Sequence, residues 1–128
     1  MEAVALIIMN DKFEYLFLDR NYEPLGYGLV AGYIDEGEDG ITAIVRECKE
    51  EIGVDLNKSS VMYIGQVESS NGIEVGLFCL DHYFEGEVQL SHEHKNYIFT
   101  KNLDNINLAG RTKDWIRQVE MRLIGEYK

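Results

Sequence analysis

The stretch Gly32-Tyr33-Ile34-Asp35-Glu36-Gly37-Glu38, followed after seven residues by Arg46-Glu47-Cys48-Lys49-Glu50-Glu51-Ile52-Gly53-Val54, decides how this chain reads. From Glu38 to Ile52 the apolar period is helical, with Ile41, Ile44, Val45, Cys48 and Ile52 recurring at helical spacing. Gly53 stands where a C-cap glycine ends a helix. At about 100° per residue the apolar stripe centres on Cys48, and Glu51, Glu47 and Glu50 lie progressively farther round on one flank. Glu47 and Glu51 are one turn apart, about 5 to 6 Å between Cβ atoms, at the border of the face turned to the core. Like charges so placed weaken a helix by a few tenths of a kcal/mol, and partial burial sharpens the repulsion. A hard divalent cation would reverse that sign, because several carboxylates on one face suit such an ion, with phosphate oxygens completing its shell. A solvated acidic face, with Arg46 as the i, i+4 partner of Glu50, accounts for the helix alone equally well.

Upstream, residues 3–9 and 13–18 are β-rich runs around Asn10-Asp11-Lys12, which reads as a hairpin connection. Their near-continuous apolar character predicts strands covered on both faces. Asn21 to Gly28 holds the only proline, Pro24, and reads as a loop, and Leu29 to Ile34 as a short strand interrupted by Gly32. Downstream, residues 61–68 and 73–84 flank Ser69-Ser70-Asn71-Gly72, a hairpin signal that predicts a long antiparallel pair. Tyr97-Ile98-Phe99 reads as a last strand and Asn102 to Asn107 as a loop. Trp115, Ile116, Val119 and Leu123 mark a second amphipathic helix. Strands on either side of a mid-chain helix, with a helix at the end, imply a mixed sheet packed between helices.

At 128 residues the chain has room for one core and not comfortably for two, so residues 1–128 read as a single domain. Twelve basic against 23 acidic residues give a net charge of −11, which argues against a long nucleic acid as partner. Cys48 and Cys79 lack neighbours at zinc-ligand spacing and read as small core residues. The apolar start, Met1 to Met9, has no basic flank or cleavage site, and no run approaches the roughly 18 to 20 apolar residues that span a bilayer. The expectation is a cytoplasmic protein with no membrane partner.

The opening stretch resembles the Nudix box, G-x5-E-x7-R-E-U-x-E-E-x-G-U with U apolar, and every specified position is met across residues 32–54. A chance match to all of them in a chain this short is on the order of one in ten million. Cys48 is an unusual filler at an apolar position, and Ala31 stands where the family usually has a second glycine. The order of strands and helices follows the family through most of the chain. The resemblance implies a Nudix-type α/β/α sandwich and hydrolysis of the phosphoanhydride in a nucleoside diphosphate linked to a further group. It implies Mg²⁺ as cofactor, with Mn²⁺ able to substitute.

Carried over by position, Glu47, Glu50 and Glu51 are the metal carboxylates, with the Ala31 carbonyl a further ligand. Arg46 is expected to orient Glu47 or to pair with Glu38. The stretch Ser91-His92-Glu93-His94-Lys95-Asn96-Tyr97-Ile98-Phe99 resembles the family segment in which a loop Glu precedes the last strand. Glu93 is therefore the first candidate for the general base and Glu47 the second, while His92 and His94 read as solvent-facing. Arg20, Gly32 and Tyr33, together with Tyr22 and Tyr27, are candidates to meet the substrate. Downstream proline or tyrosine markers of ADP-ribose or dinucleotide hydrolases are not evident, which points to a nucleoside triphosphate giving a monophosphate and pyrophosphate. The alternatives are a nucleotide sugar or dinucleotide such as ADP-ribose, or a catalytically silent nucleotide-binding regulator, against which the intact set of box carboxylates speaks. A small nucleotide is the expected partner, and a homodimer is left open.

Overall fold

The computed structural model describes residues 1–126, with side chains through Met121. The strands are β1 (Ala3–Ile7), β2 (Tyr15–Arg20), β3 (Gly26–Gly28), β4 (Val30–Tyr33), β5 (Val61–Glu68), β6 (Glu74–Leu80) and β7 (His94–Thr100). The helices are α1 (Gly40–Ile52) and α2 (Thr112–Glu126). One sheet runs β4-β1-β6-β5 and is mixed, because β1 pairs parallel with β6 and antiparallel with β4. The other, β3-β2-β7, is antiparallel.

Sidedness follows from the alternation of side chains along β1 and β2. Val4, Leu6, Ile8, Leu16, Leu18 and Val30 meet Ala43, Ile44, Cys48 and Ile52 of α1. Ala5, Ile7, Phe17 and Leu29 turn the other way, onto Trp115, Ile116 and Val119 of α2. This is the expected sandwich of strands between two helices, and it explains why both runs are nearly continuous in apolar residues. Leu123, expected on the stripe of α2, lies outside the described side chains. Among the described residues no helix is long and apolar enough to cross a membrane.

Four expectations need correction. The turn after β1 does not close a hairpin within one sheet: beyond it, Met9 bridges Tyr15 and the Leu16 N–H donates to the Ile8 carbonyl at 2.9 Å, but β1 and β2 part into different sheets. Each strand has two other neighbours, so its edges are already used. The segment read as a loop contains β3, since Gly26, at φ 118°, lets the chain approach the Asn107 carbonyl, to which the Tyr27 N–H donates at 2.8 Å. Tertiary pairing here overrides the low strand propensity of glycine. β6 ends at Leu80 rather than residue 84, and β7 begins at His94, three residues before the expected start. The β5–β6 pair itself forms around Gly72, at φ 79°.

Candidate functional site

Helix α1 is capped at both ends. The Asp39 side chain accepts from the Thr42 N–H at 2.8 Å, and Gly53, at φ 71°, returns its N–H to the Lys49 carbonyl. Its flank carries the box carboxylates at graded depth, with side-chain exposures of 2% for Glu51, 12% for Glu47 and 57% for Glu50. Cys48 is fully buried between them and the core, and burial pushes its thiol up to about 12. It is therefore a packing group rather than a nucleophile.

Arg46 ties the box together. Its Nε and Nη2 bond both oxygens of Glu38 at 2.8 and 2.9 Å, Nη1 bonds Glu47 at 2.7 Å and Glu50 at 3.3 Å, and Nη2 also reaches the Tyr33 carbonyl at 3.0 Å. Glu38 in turn accepts from the Asp35 N–H, so one guanidinium pins the loop before α1 to the helix. Bonding to Arg46 holds the Glu38 carboxyl below its ordinary range. Gly32 lies close against the box: a Cβ built there falls on the Glu47 carboxylate and would displace it. That close approach of backbone to carboxylate gives the box glycine a packing reason.

Glu51 is the chemically unusual member. Its Oε2 accepts from the Ala31 N–H at 3.1 Å, while Oε1 is buried without a hydrogen-bond partner. Burial, and then the neighbouring charge of Glu47, push this carboxyl up to about 9. Burial also raises Glu47, opposed by Arg46. A buried carboxylate with an unpartnered oxygen, one helical turn from a second carboxylate, fits a divalent cation, whose charge would take the proton's place. Among the described residues no three metal-binding side chains are gathered in this arrangement, Arg46 Nη1 lying on both Glu47 and Glu50. Ala31 lies on the edge strand β4, and its N–H points away from β1 toward Glu51. In an antiparallel ladder the carbonyl of such a residue points outward with its N–H.

A cleft of about 260 Å³ adjoins this edge, lined by Arg20, Tyr22, Ala31, Gly32, Tyr33 and Arg111 among others. The carboxylates are not in its wall; the backbone of Ala31 and Gly32 lies between. Four sequence candidates, Arg20, Tyr22, Gly32 and Tyr33, thus meet in one cleft, whereas Tyr27 is not among its lining. Arg20 stacks over the Tyr22 ring at 5.4 Å, its Nε is buried without a partner, and only the missing Cβ of Gly28 leaves it room. Glu93 is exposed, but its charge is felt at Glu51 and Tyr22. His92 is exposed as expected; His94 is not. Its side chain is fully buried, with Nε2 3.6 Å from Glu51 Oε1, and burial lowers its pKa. The residue was missed because β7 was read too short, leaving His94 in a polar loop.

A family model of the NUDIX domain matches residues 1–119. The chain belongs to the Nudix hydrolase family, whose members in general depend on divalent metals. It is 28% identical over 119 residues to the asymmetrical bis(5'-nucleosyl)-tetraphosphatase of Caenorhabditis elegans, covering 85% of each chain. Among solved structures it resembles a C. elegans Ap4A hydrolase binary complex, with TM-score 0.72, 25% identity and coverage of 98% and 97%. It also superimposes on a MutT/nudix family protein from Enterococcus faecalis, with TM-score 0.81 and 14% identity. That match covers 96% of this chain, which spans 61% of the other protein's length.

Proposed function

We propose that this chain is a Mg²⁺-dependent pyrophosphohydrolase that cuts a phosphoanhydride in a nucleotide, with a dinucleoside polyphosphate as its preferred substrate. The observation that carries the catalytic reading is Glu51: a deeply buried carboxylate with a free oxygen, set beside Glu47 in an unbroken box. A regulator without catalysis would have no use for that arrangement. The substrate class is supported by similarity to the tetraphosphatase along most of both chains. Unsymmetrical cleavage of four bridging phosphates yields a nucleoside triphosphate and a monophosphate.

Glu47, Glu51 and Glu50 would hold the cation, with the Ala31 carbonyl as a further oxygen. The bound cation supplies Lewis acidity, drawing charge from phosphate oxygens and acidifying water. Arg46 keeps Glu47 turned toward the site while anchoring the Glu38 loop. Arg20 offers charge to a phosphate, and Tyr22 and Tyr33 offer rings to a base at the cleft. Glu93 takes a proton from the attacking water as its oxygen bonds phosphorus and the bridging oxygen departs with its electron pair. Preorganised charge and position do most of this work, as in phosphoryl transfer generally.

A nucleoside triphosphate is the second reading, favoured by the absence of the expected dinucleotide markers after the box. A panel of Ap4A, nucleoside triphosphates and ADP-ribose, with products identified, separates the two. Conversion of Ap4A to ATP and AMP at the highest kcat/KM is expected. Faster release of pyrophosphate from a triphosphate would overturn the substrate assignment, and no turnover of any of them with Mg²⁺ would overturn the enzyme.

A further inference from the structure

His94 has no part in the mechanism above, yet its side chain is buried beside the site. It opens β7 opposite Arg20, and neither ring nitrogen has a hydrogen-bond partner among the described residues. The Tyr22 ring closes one side edge-on, with centroids 5.8 Å apart at 70°. Nε2 faces Glu51 Oε1 across 3.6 Å, and that oxygen is unpartnered too. A buried donor and a buried acceptor that have both given up water gain by closing such a gap. Hydrogen bonds in sites without their ligands are commonly long and tighten when the site fills.

We infer that His94 is a positioning residue whose Nε2–H donates to Glu51 Oε1 when the site is filled. Together with the Ala31 N–H on Oε2, it fixes the plane of the carboxylate, so that the remaining lone pairs point toward the cation beside Glu47. Glu51 sits on a helix and its two anchors on strands of different sheets, β4 and β7. The metal carboxylate is thereby held from both sheets at once. The inference rests on the metal reading above. Partners that orient a metal ligand typically contribute about 10- to 100-fold in metal affinity.

The test is Mg²⁺ binding without substrate, by calorimetry, to the wild type, His94→Phe and His94→Gln, with ¹⁵N NMR of the wild-type imidazole in saturating Mg²⁺. His94→Phe fills the space without a donor and is expected to weaken Mg²⁺ binding at least about tenfold. His94→Gln, which keeps an N–H donor, is expected to recover most of that loss, and the NMR should place a proton on Nε2. Unchanged affinity in His94→Phe, a loss that Gln does not relieve, or a bare Nε2 would each overturn the inference. If His94→Phe fails to fold, the NMR and His94→Gln decide it alone. Failure of the wild type to bind Mg²⁺ would remove the metal reading itself, whereas wild-type binding matched by His94→Phe would remove only this inference.

Discussion

Glu93 and Glu47 compete for one chemical role, and their surroundings differ enough to separate them. Glu47 is held by Arg46 at 2.7 Å and pressed against Gly32, so it is committed to place. Glu93 is exposed, with its backbone carbonyl taking the Asn21 N–H at 2.9 Å, so its loop is anchored while the side chain stays free to swing. A base must come within hydrogen-bond reach of the water it deprotonates, and such a contribution is about a hundredfold to ten-thousandfold. Glu93→Gln is therefore expected to lower kcat by at least about a hundredfold with Mg²⁺ affinity nearly unchanged. Steady-state kinetics at saturating Mg²⁺, beside a binding isotherm, check this. A mild loss in Glu93→Gln with a larger one in Glu47→Gln would move the base onto the helix.

At the level of α1, stability and the proposed cation binding pull against each other. The folded Glu51 carboxyl sits near 9, above its ordinary value of 4.5. A group whose pKa rises on folding contributes stability below its unfolded pKa, and that contribution drains away as pH climbs through the folded value. Metal-free protein should therefore melt at progressively lower temperature from about pH 5 toward pH 9. Glu51→Gln, which cannot ionise, should flatten that slope, and saturating Mg²⁺ should offset it in the wild type, since a ligand bound only by the folded state raises its melting point. Melting curves in chelator across this range test it, and a wild-type slope equal to that of Glu51→Gln would refute the buried-carboxylate account.

The element scale also shows what the chain discloses before it folds. The graded depth of Glu51, Glu47 and Glu50 is readable from angular position, because a helix repeats its geometry regardless of surroundings. The Gly53 C-cap and the β5–β6 turn are readable for the same local reason. Hidden from local reading were β3, His94 and the parting of β1 from β2, all of which depend on partners far along the chain. Tyr27 needs Asn107, His94 needs Arg20 across a sheet, and Arg20 needs the missing Cβ of Gly28. Periodicity describes one segment against a uniform interior, and these features exist only between segments. The depth of the box carboxylates was thus legible, and the buried imidazole behind them was not.

On the scale of the molecule, β1 serves both helical layers: Val4 and Leu6 go to the α1 side, Ala5 and Ile7 to the α2 side. It is also paired along both edges, with β4 and β6. Neither layer can peel away without stripping one face of this strand, and neither sheet neighbour can leave without freeing its backbone. Opening that exposes the β1 amides must accordingly approach global unfolding, whereas α2 and the β3 edge can fray at lower cost. Hydrogen–deuterium exchange should find the slowest amides at residues 4 to 7, and faster exchange there than in α2 would contradict the arrangement. Because β4 and its Ala31 anchor hang directly on this strand, the proposed cation site should inherit the timescale of the whole molecule's opening rather than that of a surface loop.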